Sequence, residues 1–200
     1  MGLPAQATYM TVEEYLAFEE QSPIRHEYVD RAIYAMSGAS KNHARITKNL
    51  GYWLENHLRD GKCEPYLTEV KVKASATRYY YPDVAVTCEA AAEDPEDPYL
   101  IIQPILLIEV LSPSTQRTDK VEKFNTYQQI PGLLEYVIVA QDEMKVEIYR
   151  HRKAGDAWQG EVFTEPVEQI TFESIGLSLT LADIYRRVIF PAESEGEPTP

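Results

Sequence analysis

The sequence predicts an α+β domain built on one mixed β-sheet with a few flanking helices. Three observations support this. Apolar residues recur at helical spacing between Ser40 and Leu58, at Ile46, Leu50, Trp53, Leu54 and Leu58. Short strand-like stretches flank a second helical stretch, so the elements run helix, strands, helix, strands. The 200 residues suit one domain with its own core, and neither an internal repeat nor a linker interrupts them. The domain is expected over residues 10–190, with 191–200 as a disordered acidic tail.

The elements follow in order. Thr11-Val12-Glu13-Glu14 has the form of a capping box, Thr at the N-cap and Glu three residues on. It opens a short helix to about Glu20. Residues 26–29 and 32–36 read as a hairpin about Asp30-Arg31. The long helix from Ser40 stops at Asp60-Gly61. Strands come next at 64–73, with the alternating Val70-Lys71-Val72-Lys73, then at 79–87 (YYYPDVAVT) and 103–111. A second helix, about 116–129, stops before Pro131-Gly132. Residues 134–140 and 145–150 form a hairpin across Gln141-Asp142-Glu143. Residues 158–164 and 168–172 extend the sheet, and 181–188 is a short closing helix.

Composition is that of an ordinary soluble domain, 44% hydrophobic and 26% charged. No apolar run approaches the roughly 18–20 residues of a membrane span, and the start MGLPAQATYMTVEEY does not read as a signal peptide. A cytoplasmic protein with no membrane partner is expected. Cys63 and Cys88 show no C-x-x-C spacing, so reduced thiols are expected as well. The net charge of −13 argues against a broad basic surface for nucleic acid. It leaves room for a local basic groove, or for a site where metal ions supply the positive charge. Part of the excess lies in 89–97 (EAAAEDPED) and 192–200 (AESEGEPTP), which both read as solvated.

The most informative residue is Glu109, inside Ile105-Leu106-Leu107-Ile108-Glu109-Val110-Leu111. Side chains alternate along a strand, so Leu107, Glu109 and Leu111 share one face and Leu106, Ile108 and Val110 the other. Both faces are apolar except at Glu109, as in a central strand covered on both sides. A charge there is costly unless paired or bound to metal. Taken alone, Glu109 is as well explained by a structural salt bridge. Asp83, after Pro82 and before Val84-Ala85-Val86, is a second carboxylate in a strand-like stretch. Two inward acids on neighbouring strands form a hard oxygen site suited to Mg²⁺ or Mn²⁺. On the helix after Ser112-Pro113-Ser114-Thr115, Asp119, Lys123 and Tyr127 lie four apart and share a face. Taken alone, the stripe is better explained by an exposed Asp–Lys pair, but the short connection can swing Lys123 back over the end of the Glu109 strand.

With these residues assembled, the chain resembles the Uma-type putative restriction endonuclease family of the PD-(D/E)XK nuclease superfamily. The resemblance is carried by Tyr81-Pro82-Asp83-Val84-Ala85-Val86, by Leu107-Ile108-Glu109-Val110-Leu111-Ser112-Pro113-Ser114-Thr115, by Asp119-Lys120-Val121-Glu122-Lys123-Phe124 with Tyr127, and by Leu134-Glu135-Tyr136-Val137-Ile138-Val139. The resemblance implies a restriction-endonuclease-like fold, a mixed central sheet flanked by helices, and a divalent-metal nuclease site. Asp83 matches the aspartate of the PD motif and Glu109 the first acid of (D/E)XK. Leu111 stands where that motif places lysine. Lys123 is the best match for the displaced lysine, with Lys120 as the fallback. Glu27, in His26-Glu27-Tyr28, and His43, in Lys41-Asn42-His43-Ala44, match weaker family positions. An exposed strand glutamate and a histidine hydrogen-bonded at a helix start explain them as well.

The expected function is metal-dependent phosphodiester hydrolysis, with nucleic acid as partner and DNA favoured. Asp83 and Glu109 would be the Mg²⁺ or Mn²⁺ ligands, with Lys123, Glu27 and His43 as further catalytic candidates. The alternative is an inactive nuclease-fold module that binds nucleic acid or protein. A glycosidase using Asp83 and Glu109 ranks third, because it gives Lys123 no role. No G-x-S-x-G elbow, P-loop or G-x-G-x-x-G is present. A homodimer is expected only by analogy with nucleases that cut both strands.

Overall fold

Two strand-like stretches of the sequence each break in the middle, and the chain consequently forms two six-stranded sheets where the pattern predicts one. The computed structural model describes residues 9–88, 93–94, 97–111, 116–151 and 156–191. The first stretch divides into β3 (Cys63–Leu67) and β4 (Lys71–Ser75), and the second into β5 (Arg78–Tyr80) and β6 (Val84–Cys88). Both breaks have local causes. Thr68 adopts φ 52°, which no strand accommodates. Pro82 has no backbone donor for a ladder. The breaks lie side by side, with the Thr68 N–H donating to the Asp83 carbonyl at 3.1 Å. Asp83 thus sits where two segments cross between the sheets.

The larger core surrounds the sheet of order β12-β11-β10-β9-β6-β3, with β9 (Leu106–Leu111), β10 (Glu135–Ala140), β11 (Val146–Arg150) and β12 (Gln159–Phe163). β9 and β10 are parallel and the other pairs antiparallel. All six residues of β9 and of β10 are buried, Glu109 and Glu135 included, as in central strands covered on both faces. One face, with Val84, Val86, Leu106, Ile108, Val110, Val137 and Val139, packs on α2 (Lys41–Leu58). Ile46, Leu50 and Leu54 of α2 are fully buried there, each contributing about 1.5–3 kcal/mol. The other face, with Ala85, Leu107, Leu111, Tyr136 and Ile138, packs on Tyr127 of α3 (Gln116–Tyr127).

The second sheet, of order β2-β1-β5-β4-β8-β7, contains the expected hairpin of β1 (His26–Val29) and β2 (Ala32–Ala35). Asp30 and Arg31 both take positive φ in its two-residue turn. β7 (Glu93–Asp94) falls in the acidic stretch 89–97 read as solvated, and β8 (Asp97–Ile101) begins at its last residue; their backbones are strands. α1 (Val12–Gln21) closes this sheet through Tyr15, stacked on Tyr28 at 4.8 Å, and its capping box at Thr11 and Glu14 is formed as predicted.

Other expectations are corrected. β13 (Gln169–Phe172) does not extend the main sheet. It pairs with β14 (Leu177–Thr180), and both pack with α4 (Leu181–Ile184) on the α2 side of the core. Cys63 and Cys88 form a disulfide, which overturns the expectation of reduced thiols. They are directly paired in the β3–β6 register, with Cα atoms 3.8 Å apart, and no sequence spacing reveals such a pairing. Among the described residues no helix is long and apolar enough to cross a membrane. Ser112–Thr115 and the tail 192–200 lie outside the described residues.

Candidate active site

Glu109 lies on the α3 face of β9, and it is 4% exposed. Its Oε1 accepts from Lys123 Nζ at 3.1 Å and from the Tyr127 hydroxyl at 2.9 Å. Lys123 and Tyr127 are four apart on α3, so the helix places both over the strand in one register. The solvated reading of that stripe does not hold for these two residues, since Lys123 is 7% exposed and Tyr127 fully buried. The side chains of Asp119 and of the fallback Lys120 lie outside the described part of α3.

Asp83 approaches from β6. The antiparallel β6–β9 register pairs Val84 with Ile108, so one step further Asp83 stands opposite Glu109. Its Oδ2 accepts the backbone N–H of Val110 at 2.7 Å, which ties it to the residue after Glu109. Its Oδ1 lies 3.0 Å from His43 Nε2. His43 sits in the first turn of α2, where the Ser40 hydroxyl caps the helix by accepting the His43 N–H at 3.1 Å. Glu27, from β1 of the other sheet, meets Lys123 from the far side, Oε1 to Nζ 2.8 Å. The Tyr81 N–H also points at that oxygen, at 3.5 Å. Lys123 Nζ further lies 5.4 Å from the centroid of the Tyr80 ring, within cation–π range.

All five residues singled out in the sequence therefore meet at one end of the main sheet. The structure adds Tyr127 as a direct partner of Glu109. Its sequence signals were the four-residue spacing from Lys123 and its place in the family resemblance.

The charges are unbalanced. Three carboxylates, Asp83, Glu109 and Glu27, surround one lysine and one histidine. Burial pushes the Glu109 carboxyl up to about 7; Lys123 opposes this, and the charges of Asp83 and Glu27 reinforce it. For Lys123, burial opposes the charge, but Glu109 and Glu27 outweigh it and hold the ammonium well above its usual range. His43 is likewise raised: burial works against its charge, and the Asp83 hydrogen bond and charge, with Glu109, overcome it. Burial, then Glu109, raise the Tyr127 hydroxyl, so it remains a donor.

This donor set fits a hard divalent cation. The Asp83 and Glu109 carboxylates lie near each other with side chains 12% and 5% exposed, and with more negative charge around them than the protein neutralises. Among the described residues no group of three or more His, Cys, Asp or Glu side chains is placed to hold a metal ion between them. Magnesium rarely has an all-protein cage, and is usually held by one or two carboxylates with water and phosphate oxygens completing its shell.

The sequence matches the Uma2 family, described as "Putative restriction endonuclease", over residues 12–182. It is 37% identical over 182 residues to Uncharacterized protein slr1290 of Synechocystis sp., covering 90% of this chain and 94% of that protein. Uncharacterized protein sll1609 of the same organism is 35% identical over 157 residues, 78% of this chain and 88% of that one. A crystal structure described as a putative nuclease belonging to DUF820 from Anabaena variabilis superposes with a TM-score of 0.73 at 20% identity. The match spans 88% of this chain and 97% of the other, and at that identity it shows a shared fold.

Proposed function

The chain belongs to the Uma2 family, and we propose that it is a metal-dependent endonuclease that hydrolyses phosphodiester bonds of nucleic acid, with DNA as substrate. One observation carries the reading: Lys123, from the following helix, reaches Glu109 at 3.1 Å and supplies the ammonium that Leu111 cannot. Asp83 and Glu109 are the residues that would hold Mg²⁺ or Mn²⁺. When bound, the ion would polarise the phosphate and lower the pKa of a bound water.

The protein's own groups prepare that chemistry. The Val110 N–H and His43 fix the Asp83 carboxylate from two directions. Tyr127 and Lys123 converge on Oε1 of Glu109 and orient the carboxylate. Lys123 then offers a fixed positive charge where negative charge develops on the phosphate oxygens. Glu27 holds the ammonium in place as a positioning residue. With its carboxyl pushed to about 7, Glu109 carries a proton part of the time at neutral pH, and a cation must displace it.

The test is cleavage of DNA and RNA with Mg²⁺ or Mn²⁺ by wild type, Asp83→Ala and Glu109→Gln. Metal-dependent cutting by wild type, lost in both variants, is the expected result. No cutting of any substrate with either metal, or normal cutting by both variants, defeats the proposal. The inactive-module reading draws on the same ion pairs, since Lys123 already neutralises Glu109 and Glu27 in part. It predicts folded, metal-indifferent protein in every arm.

A further inference from the structure

On the flank of α2 away from the core, a cavity of about 550 Å³ opens between the helix and the segment that follows α4. Arg45, Lys48, Tyr52 and Trp53 of α2 line it, facing Arg186 and Arg187. These are four cations in one cavity on a chain of net charge −13. The one acid in the lining, Asp183, is already engaged. Its Oδ2 accepts the Thr180 N–H at 3.0 Å and the Thr180 hydroxyl at 2.6 Å, closing the cap of α4. Among the described residues Lys48, Arg186 and Arg187 form no ion pair, and all three are exposed.

Both walls are fixed. Arg45, Lys48 and Tyr52 follow at steps of three and four, so one helical face presents them. Asn42 and Asn49, two turns apart, clip the facing segment to α2. Asn42 Nδ2 donates to the Ile189 carbonyl at 2.7 Å, and Asn49 Nδ2 donates to the carbonyls of Ile184 and Arg186, both at 2.9 Å. Between these clips Arg187 takes φ 63°, a left-handed conformation that is uncommon for a residue with a side chain. Tyr52 is 59% exposed and stands edge-on to Trp53, ring centroids 5.3 Å apart.

Cations beside an exposed aromatic ring suit a flexible polyanion with free π-faces. The cations take phosphates and the ring takes an unstacked base. A duplex keeps its bases stacked and leaves Tyr52 unused. We infer that this groove binds a single-stranded segment of nucleic acid, phosphates on Arg45, Lys48, Arg186 and Arg187 and one base on Tyr52. Tyr52 lies nine residues along α2 from His43, about 14 Å of axial rise and half a turn round the helix, so the groove and the site lie on opposite faces of α2. The inference rests on the nuclease reading only for the nature of its occupant.

The test is fluorescence anisotropy of the full chain with labelled single-stranded DNA, single-stranded RNA and duplex DNA, with metal chelated. Arg186→Ala/Arg187→Gly removes two cations, and glycine accepts the positive φ. This variant should flatten the slope of log affinity against log salt by about 1.4 for single strands. Tyr52→Ala should weaken binding by about 5- to 150-fold while Tyr52→Phe retains it. Binding of either or both single strands with these losses supports the groove. Three outcomes overturn it: no binding, unchanged affinity and salt slope in the variants, or preferred duplex binding indifferent to Tyr52→Ala. Because nothing is cut, failure of the catalytic reading appears in the cleavage assay and leaves these isotherms unchanged.

Discussion

Two glutamates are buried on adjacent parallel strands of the main sheet, and they are buried in opposite ways. Glu135 of β10 is 1% exposed and Glu109 of β9 is 4% exposed. Glu135 is paired in register with Leu106, three residues from Glu109 along the ladder. Donors surround it: the Glu173 and Ser174 N–H groups at 3.0 and 2.8 Å and the Ser174 hydroxyl at 2.5 Å, with Arg150 Nε in an ion pair at 3.4 Å. Glu109 has one ammonium and one hydroxyl, and two further carboxylates face the same cluster. Burial is common to both, so burial alone does not mark a site. The difference is whether donors satisfy the carboxylate or like charges gather around it. The first arrangement fastens a loop to a strand, and the second is the one we propose holds a cation.

That comparison can be broken by exchanging the two residues' consequences. Glu109→Gln is expected to lower metal-dependent cleavage by about 1000-fold, roughly 4 kcal/mol of barrier. Glu135→Ala should leave the site chemistry in place and instead destabilise the fold by about 3 kcal/mol, because Arg150 and two backbone donors lose their buried acceptor. Urea midpoints and kcat on the same preparations check both. Equal stability losses would erase the distinction. Lys123→Ala is expected to combine the two effects, with cleavage down about 100-fold and stability down about 3 kcal/mol, since Glu27 and Glu109 keep buried charge without their cation.

The pH dependence sharpens the comparison further. The folded Glu109 carboxyl is raised to about 7 from an ordinary 4.5, so the folded state binds the extra proton between those values. Its contribution to stability is therefore full below pH 4.5 and is lost as pH rises through about 7. His43, also raised, contributes below its ordinary 6.5 and loses that contribution as pH rises through its folded pKa. Both groups act in the same direction. Wild type should lose stability from pH 5 to pH 8, and Glu109→Gln should flatten part of that slope, as read by urea midpoints across the range. A steeper slope in the variant would contradict the assignment. The smallest expected effect is that of Tyr127→Phe, which removes one hydrogen bond to Glu109. It should cost about 1 kcal/mol of stability and lower cleavage only several-fold.

Much of the site was legible because its signals are local. A charge in an apolar run exposed Glu109, an acid after a proline exposed Asp83, and helical spacing put Lys123 and Tyr127 on one face. What sequence could not supply was the crossing of the chain between two sheets. Thr68 and Pro82 each look like a minor interruption, and only their side-by-side placement turns one predicted sheet into two. That division brings Glu27, on a strand of the second sheet, against Lys123 of the first layer. No periodicity encodes such a long-range meeting. The disulfide is hidden for the same reason, since register and not spacing pairs Cys63 with Cys88. Net charge concealed the basic groove, because its cations come from segments over a hundred residues apart in a chain whose net charge is −13.

As proposed above, Asp83 and Glu109 form a cation site where Glu135 does not. Isothermal titration calorimetry of Mg²⁺ into wild type, Asp83→Ala, Glu109→Gln and a conservative Glu135→Gln tests it most directly, at pH 7 in buffers of different ionisation enthalpy. Saturable binding to wild type with partial proton release is expected, retained in Glu135→Gln and lost in Asp83→Ala and Glu109→Gln. The same isotherm in all four proteins, or no binding to wild type, would contradict it.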